Sequence, residues 1–232
     1  MTREYMQINT LIIIIFNLLF FTFPLGAQEV DNISIDNNLY FPDKFFIDTI
    51  NPEADGTIQG NEFYERRKYA ANYINFILSM ELSKLNEPKL HHEYPYEVYR
   101  FTWSAYLKNA HNPLTIRIEN DGKKAYLIAK YIRYNRFSNK DKLIIKDTIT
   151  IDKNKWVEFK NIINSINFWN ISPIEKTSIV VFDGSTWILE GSIDKSYHMV
   201  HRKMAKHKEI GEVCLYLLKL SGIKVKENEF NP

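Results

Sequence analysis

Apolar side chains recur every three or four residues in three parts of the chain, which is the period of an α-helix. The first segment spans 61–86 and ends before Pro88, a residue that cannot continue a helix. The second begins after Asp152, whose side chain can cap its first turn. The third, at about 208–220, is apolar over most of its surface, so we expect it to be buried.

Between these segments, apolar and polar residues alternate with the period of two that is typical of β-strands. Strands are predicted at 96–103, 114–119, 124–134, 143–151, 178–182, 186–190 and 197–202. Asp121-Gly122 lies between two alternating runs, which is a strong hairpin signal. Short turns join most successive strands, so the pairing should be mainly antiparallel. The pattern predicts an α+β fold, a sheet of about six to seven strands with three helices packed on one face.

The N-terminal residues have the pattern of a secretory signal peptide. A polar start precedes an apolar run at 11–23, and the small pair Gly26-Ala27 follows it. The run is shorter than the about 20 apolar residues that cross a bilayer. The predicted organisation is a signal peptide at 1–28, an N-terminal extension or linker at 29–60 and a single α+β domain at 61–232.

Charge and cysteine content narrow the class of protein. The 30 basic and 28 acidic residues give a formal net charge of +2, whereas nucleic-acid-binding proteins normally carry a basic stripe. Cys214 is the only cysteine, so no intramolecular disulfide can form and no lipoprotein anchor can follow the apolar run. Within an apolar helix, Cys214 is expected to be a core residue and not a nucleophile. We expect an exported protein, periplasmic or extracellular, that binds no nucleic acid.

Most residues that could carry chemistry lie between 183 and 202. The candidates for acid–base chemistry and anion binding are Asp183, Glu190, His198 and Arg202. His198 and His201 are three apart, and on a strand such residues point to opposite faces, so no metal site is predicted. The sequence contains no nucleotide-binding loop or known hydrolase motif, and no cofactor is predicted.

The register of the predicted hairpin decides whether the candidate residues meet. If Gly191 pairs with Ser196, Glu190 faces Tyr197. If the turn shifts by one residue, Glu190 faces His198 and forms a carboxylate–imidazole pair that could act as a general base. Because nothing nearby supplies a nucleophile or an oxyanion hole, we favour a polar cross-strand pair without catalytic function.

Aromatic residues on the first predicted strand allow two interpretations. Tyr99, Phe101 and Trp103 share one face of this strand. An exposed aromatic face could bind a glycan or a protein. A core face under the helices is the favoured interpretation, because a chain without disulfides depends on its core.

One combination of residues extends through the final hairpin and helix. It consists of Asp183-Gly184-x-x-Trp187-x-x-Glu190-Gly191, then Tyr197-His198, Arg202 and a Leu-rich helix. In this combination, over roughly residues 96–223, the chain resembles a group of exported bacterial proteins for which no activity is established. The resemblance implies a shared fold and a bacterial envelope location. It assigns no functional residue.

Three functions follow from these observations. The first is a non-enzymatic binding or inhibitor-like module with a protein or glycan partner in the bacterial envelope. It predicts an exposed apolar or aromatic patch, and hairpin polar residues that do not converge in a cleft. The second is a small envelope-directed hydrolase that uses Glu190 and His198. The third is a domain tethered to the membrane by an uncleaved N-terminal anchor; without it, no stable membrane insertion is expected.

N-terminal sequencing of the mature protein tests the predicted export signal. We expect the first residue to follow Ala27 or Gln28, because small residues precede the signal peptidase site. An intact N-terminus in membrane-bound protein would support the anchor instead.

Overall fold

The computed structural model describes residues 39–42, 46, 60–105, 113–133, 142–145, 148–175, 185–203 and 205–226. The predicted signal peptide, the predicted strand at 178–182 and Asp183 lie outside these residues. The helices are Gly60–Lys84 (α1), Lys153–Ser165 (α2) and Gly211–Ser221 (α3). The strands are Glu97–Ala105 (β1), Leu114–Asn120 (β2), Ala125–Arg133 (β3), Lys142–Ile145 (β4), Ile149–Ile151 (β5), Ser185–Ile193 (β6) and Ser196–Lys203 (β7).

All seven strands belong to one antiparallel sheet. Their order is β4-β3-β2-β1-β6-β7, and β5 pairs with β3 beside β4. The central pairing joins β1 to β6, two strands that are far apart in the sequence. The predicted α+β class, with a mainly antiparallel sheet and three helices, is confirmed.

The predicted hairpin at Asp121-Gly122 joins β2 to β3. The Asp121 carboxylate accepts hydrogen bonds from the backbone N–H groups of Lys123 and Lys124, both at 2.8 Å. Gly122 has a φ of 87°, a left-handed conformation that glycine adopts without steric cost. The turn chemistry therefore fixes this part of the sheet, as the sequence predicted.

The prediction of a single strand at 143–151 is wrong, because the structure has two strands, β4 and β5, in this range. Lys130 pairs with Ile145, whereas Leu127 pairs with Ile149, so the register shifts by one residue between the two strands. A shift of one residue moves side chains to the other face of the sheet. One uninterrupted strand could not satisfy both pairings.

One face of the sheet forms the main core beneath α2 and α3. The Asp152 side chain accepts a hydrogen bond from the Lys155 N–H at 3.0 Å and caps α2, as predicted. Buried core residues are Tyr99, Phe101, Trp103, Ile116, Leu127, Trp187 and Leu189 on the strands and Phe159, Ile163, Val213, Cys214 and Leu217 on the helices. The aromatic face of β1 is thus a core face, and the favoured interpretation is confirmed.

The opposite face of the sheet is covered by α1, which corrects the expectation that all helices pack on one side. Ala71, Leu78 and Leu82 of α1 form a second buried cluster with Ile188 of β6 and Met199 of β7. Phe41 and Phe46, which precede α1 in the chain, complete this cluster. The sheet therefore lies between α1 on one face and α2 with α3 on the other.

Gly191 lies so close to two aromatic rings that a substitution there tests the packing of the main core. A Cβ atom at Gly191 would lie 2.8 Å from Phe168 Cε1 and 2.9 Å from the Tyr99 ring. We expect Gly191→Ala to lower the free energy of unfolding by about 1–3 kcal/mol, measured by urea denaturation, because both rings are buried and cannot move freely. Asn161→Ala, on the exposed side of α2, is the control and should change it by less than about 0.5 kcal/mol. Equal stabilities would show that the core accommodates the extra carbon.

Candidate functional site

The β6–β7 hairpin has a register that neither predicted alternative describes. Ile193 pairs with Ser196, so Glu190 lies opposite Met199 and His198 lies opposite Gly191. Glu190 and His198 therefore occupy opposite faces of the sheet. Both predicted registers are wrong, because each used a different turn position. The carboxylate–imidazole pair does not form.

The two histidines of β7 are also separated. His198 lies on the α2 face, where its Nε2 is 3.1 Å from the Ile171 carbonyl oxygen and burial lowers its pKa. His201 lies on the α1 face beside Phe46, and burial lowers its pKa to about 3. The two side chains thus lie on opposite faces of the sheet, as their spacing predicted. Within the described part of the chain, no group of three or more metal-ligating side chains is present.

Arg202 connects the hairpin to its neighbours. Its guanidinium donates to Glu209, at 3.2 Å from Nε, and to the carbonyl oxygens of Ser172 at 2.9 Å and His201 at 2.8 Å. These contacts join β7 to the segment after α2 and to the segment before α3. Arg202, which the sequence suggested as an anion-binding residue, is therefore buried and holds other parts of the chain through these contacts.

Glu190 belongs to a buried ion pair that the sequence analysis missed. Arg100 on β1 donates from Nε to Glu190 Oε2 at 2.7 Å and from NH2 to Oε1 at 2.9 Å. Tyr197 donates its hydroxyl to the same carboxylate at 3.0 Å. Arg100 also donates to the Pro88 carbonyl oxygen at 2.6 Å. Both charged side chains are fully buried, and their two-point geometry is the strongest form of an arginine–carboxylate pair.

Glu87, in the segment between α1 and β1, extends this pair into a network. Its carboxylate lies 3.1 Å from Arg117 Nε on β2, 2.8 Å from Lys130 Nζ on β3 and 3.5 Å from Arg100 NH1. Arg117 also pairs with Glu119. Three cations thus meet three carboxylates, so the network is neutral. Arg100, Arg117, Lys130, Glu87 and Glu190 of this network are buried, and paired charges of this kind hold parts of the polypeptide together.

The sequence did contain a sign of this network. In the sequence, Arg100 and Arg117 each lie between apolar residues of a strand, and the structure pairs them directly on adjacent strands. Charged residues at such positions are buried only when they are paired. Which carboxylates pair with them depends on the tertiary structure, because Glu87 lies outside the strands.

The outward side of α1 carries a second unexpected feature. Tyr69, Tyr73, Phe76 and Met80 are exposed at 73%, 45%, 48% and 39%. Their spacing of four, three and four residues places them on one line of the helix, which we call the α1 stripe. The inward side is fixed by Ser79, which accepts a hydrogen bond from the Tyr40 N–H at 2.9 Å. Among the described side chains of α1, three aromatic residues and one methionine therefore face solvent.

A double-mutant cycle measures how strongly Arg100 and Glu190 stabilise the fold together. Arg100→Leu should lower the free energy of unfolding by about 3–5 kcal/mol, because it leaves a buried carboxylate without its partner. The double variant Arg100→Leu/Glu190→Leu should be more stable than Arg100→Leu alone, because no buried charge of the pair remains. Urea denaturation of the four proteins gives the coupling energy. Additive losses would contradict direct pairing.

No protein-family model matches this chain, and no curated protein matches it. Its function is therefore inferred from the placement of its side chains. The hairpin candidates among the described residues are separated or engaged in structural contacts. The buried network is neutral, and the α1 stripe faces solvent.

Proposed function

We propose that the protein is an exported, non-enzymatic binding module of the bacterial envelope and that the α1 stripe is its surface for a protein partner. The observation that carries this proposal is the line of four exposed side chains on α1. Soluble helices normally place polar residues on the side that faces water. A row of aromatic residues and methionine there is typical of a surface that another protein covers.

The dimensions of the stripe favour a groove on a protein. From Tyr69 to Met80 the helix rises about 17 Å, at about 1.5 Å per residue. Helices that dock into grooves use anchors at this spacing over two to three turns. Tyrosine, phenylalanine and methionine are among the residues that are enriched at interfaces. The partner is therefore expected to offer a narrow apolar groove.

A lipid surface is a poorer match for the stripe. Helices that lie on membranes bury a broad apolar face and turn a basic face to water. In α1, the side opposite the stripe packs on the sheet through Ala71, Leu78 and Leu82. No helix in the described residues is long and apolar enough to cross a membrane. The proposed membrane anchor, within 1–28, lies outside the described residues.

The hydrolase alternative is not favoured by the arrangement of its residues. It required Glu190 near His198, and these side chains lie on opposite faces of the sheet. Glu190 is instead enclosed by Arg100 and Tyr197. Asp183 lies outside the described residues. We therefore propose the binding module and retain no acid–base pair for catalysis.

Affinity capture from envelope extracts tests the proposed surface. The mature chain should retain a partner that the variant Tyr69→Gln/Tyr73→Gln/Phe76→Gln binds at least about tenfold more weakly, because the anchors of the interface are removed. The measurement is the affinity of each protein for the captured partner by surface plasmon resonance. The substituted residues are exposed, so the fold should be retained.

Val157→Gln is the matched control, since Val157 is an exposed apolar residue on α2, outside the stripe. It should bind the partner as the unmodified protein does. Equal binding by the stripe variant would overturn the proposal. Stripe-dependent self-association in analytical ultracentrifugation would assign the surface to a second copy of the chain and would also contradict it.

A further inference from the structure

Three connections meet at the end of the sheet where β1 begins. They are the segment before β1, the β2–β3 turn and the β6–β7 turn. Together they line an open groove of about 500 Å³. This volume lies within the range of about 300–1,000 Å³ that is usual for small-molecule sites. The groove contains none of the residues of the α1 stripe.

One residue that lines the groove, Tyr94, is held by hydrogen bonds. The Tyr94 hydroxyl donates to Glu119 Oε2 at 2.6 Å and accepts from Arg117 NH1 at 2.7 Å, which ties the segment before β1 to β2. Tyr96 packs edge-to-face on Tyr94, with ring centroids 6.1 Å apart. A site that is fixed before binding loses less entropy when a ligand arrives.

Tyr96 supplies an aromatic surface at this groove. Its side chain is 41% exposed, and its ring contacts the Tyr94 ring edge-to-face. A pyranose ring has an apolar face of C–H groups that packs on an aromatic ring, and a rim of hydroxyl groups. An exposed tyrosine in a polar groove is suited to this shape.

The rim of the groove offers acceptors for sugar hydroxyl groups. Glu93 comes from the segment before β1 and Asp194 from the β6–β7 turn, and both carboxylates are exposed. Asn120, at the end of β2, adds a side-chain amide. Carboxylates accept hydrogen bonds from two hydroxyl groups, and an amide both donates and accepts. Acceptors on different connections could therefore fix the orientation of one sugar.

The charges of the groove restrict the class of sugar. Lys160 forms an ion pair with Glu97 and neutralises it. The other charged residues that line the groove are the anions Glu93 and Asp194 and the cation Lys195. The groove is therefore net negative and disfavours a ligand that carries a carboxylate. From this geometry we propose that the groove binds a short saccharide that is uncharged or carries an amine. The proposal goes beyond the protein-binding function and uses a separate surface.

Chemical-shift mapping with three defined trisaccharides tests the proposal on the mature chain. The probes are triacetylchitotriose, which is uncharged, chitotriose, which carries amines, and trigalacturonic acid, which is anionic. The first two should shift the amide resonances of 93, 94, 96, 97, 120–122 and 193–195, with dissociation constants of about 0.1–1 mM. The anionic probe should leave them unchanged. Absence of shifts with the first two, or equal binding of the third, would overturn the proposal.

Substitutions at Tyr96 test the aromatic contact. Tyr96→Ala should weaken binding about tenfold, while Tyr96→Phe, which keeps the ring, should bind within about twofold of the unmodified protein. Tyr69→Ala on the α1 stripe is the matched control and should bind the saccharides normally. Unchanged affinity of Tyr96→Ala would overturn the proposal.

A second variant tests the rim and remains informative if Tyr96→Ala fails to fold. Glu93→Gln/Asp194→Asn should weaken binding of the amine-bearing trisaccharide at least about fivefold more than binding of the uncharged one, because it removes only the negative charge. Equal effects on both probes would contradict the charge selection. Capture of the protein partner should be unaffected by this variant, so the two proposals fail independently.

Discussion

The structure depends on the pairing of buried cations on the α1 face of the sheet. Arg100, Arg117 and Lys130 lie on three adjacent strands, and all three side chains are buried. An unpaired charge there would cost several kcal/mol, so each cation needs a carboxylate. Glu190 comes from the neighbouring strand, but Glu87 comes from the segment that follows α1. The same contacts therefore neutralise the buried cations of the sheet and hold the end of α1 against it.

This requirement explains the contacts that Glu190 and Arg202 of the hairpin make. Glu190 is enclosed by Arg100 and Tyr197, and Arg202 is held by Glu209 and backbone carbonyl groups. Polar residues that resembled a catalytic set in the sequence instead join separate parts of the chain. The exposed aromatic residues, in contrast, lie on the α1 stripe and at Tyr96.

The local chemistry of the chain predicted most of the elements. Asp121-Gly122 gave the β2–β3 hairpin and Asp152 gave the start of α2, because both act through hydrogen bonds to residues within three positions. The alternation in β1 correctly placed Tyr99, Phe101 and Trp103 in the core. The split into β4 and β5 was missed, because it depends on pairing with β3 and not on the alternation itself.

The sequence by itself determined the helices, most strands, the α+β class and the absence of disulfides, because periodicity, caps and a single cysteine are local properties. Only the tertiary structure decided the hairpin register, the face on which α1 packs and the carboxylates that pair with Arg100. A register shift of one residue exchanges the two faces of a strand, and only the turn geometry selects it. The observed register places Glu190 beside the buried Arg100 and His198 on the opposite face of the sheet. It therefore decides which side chains lie close enough to interact.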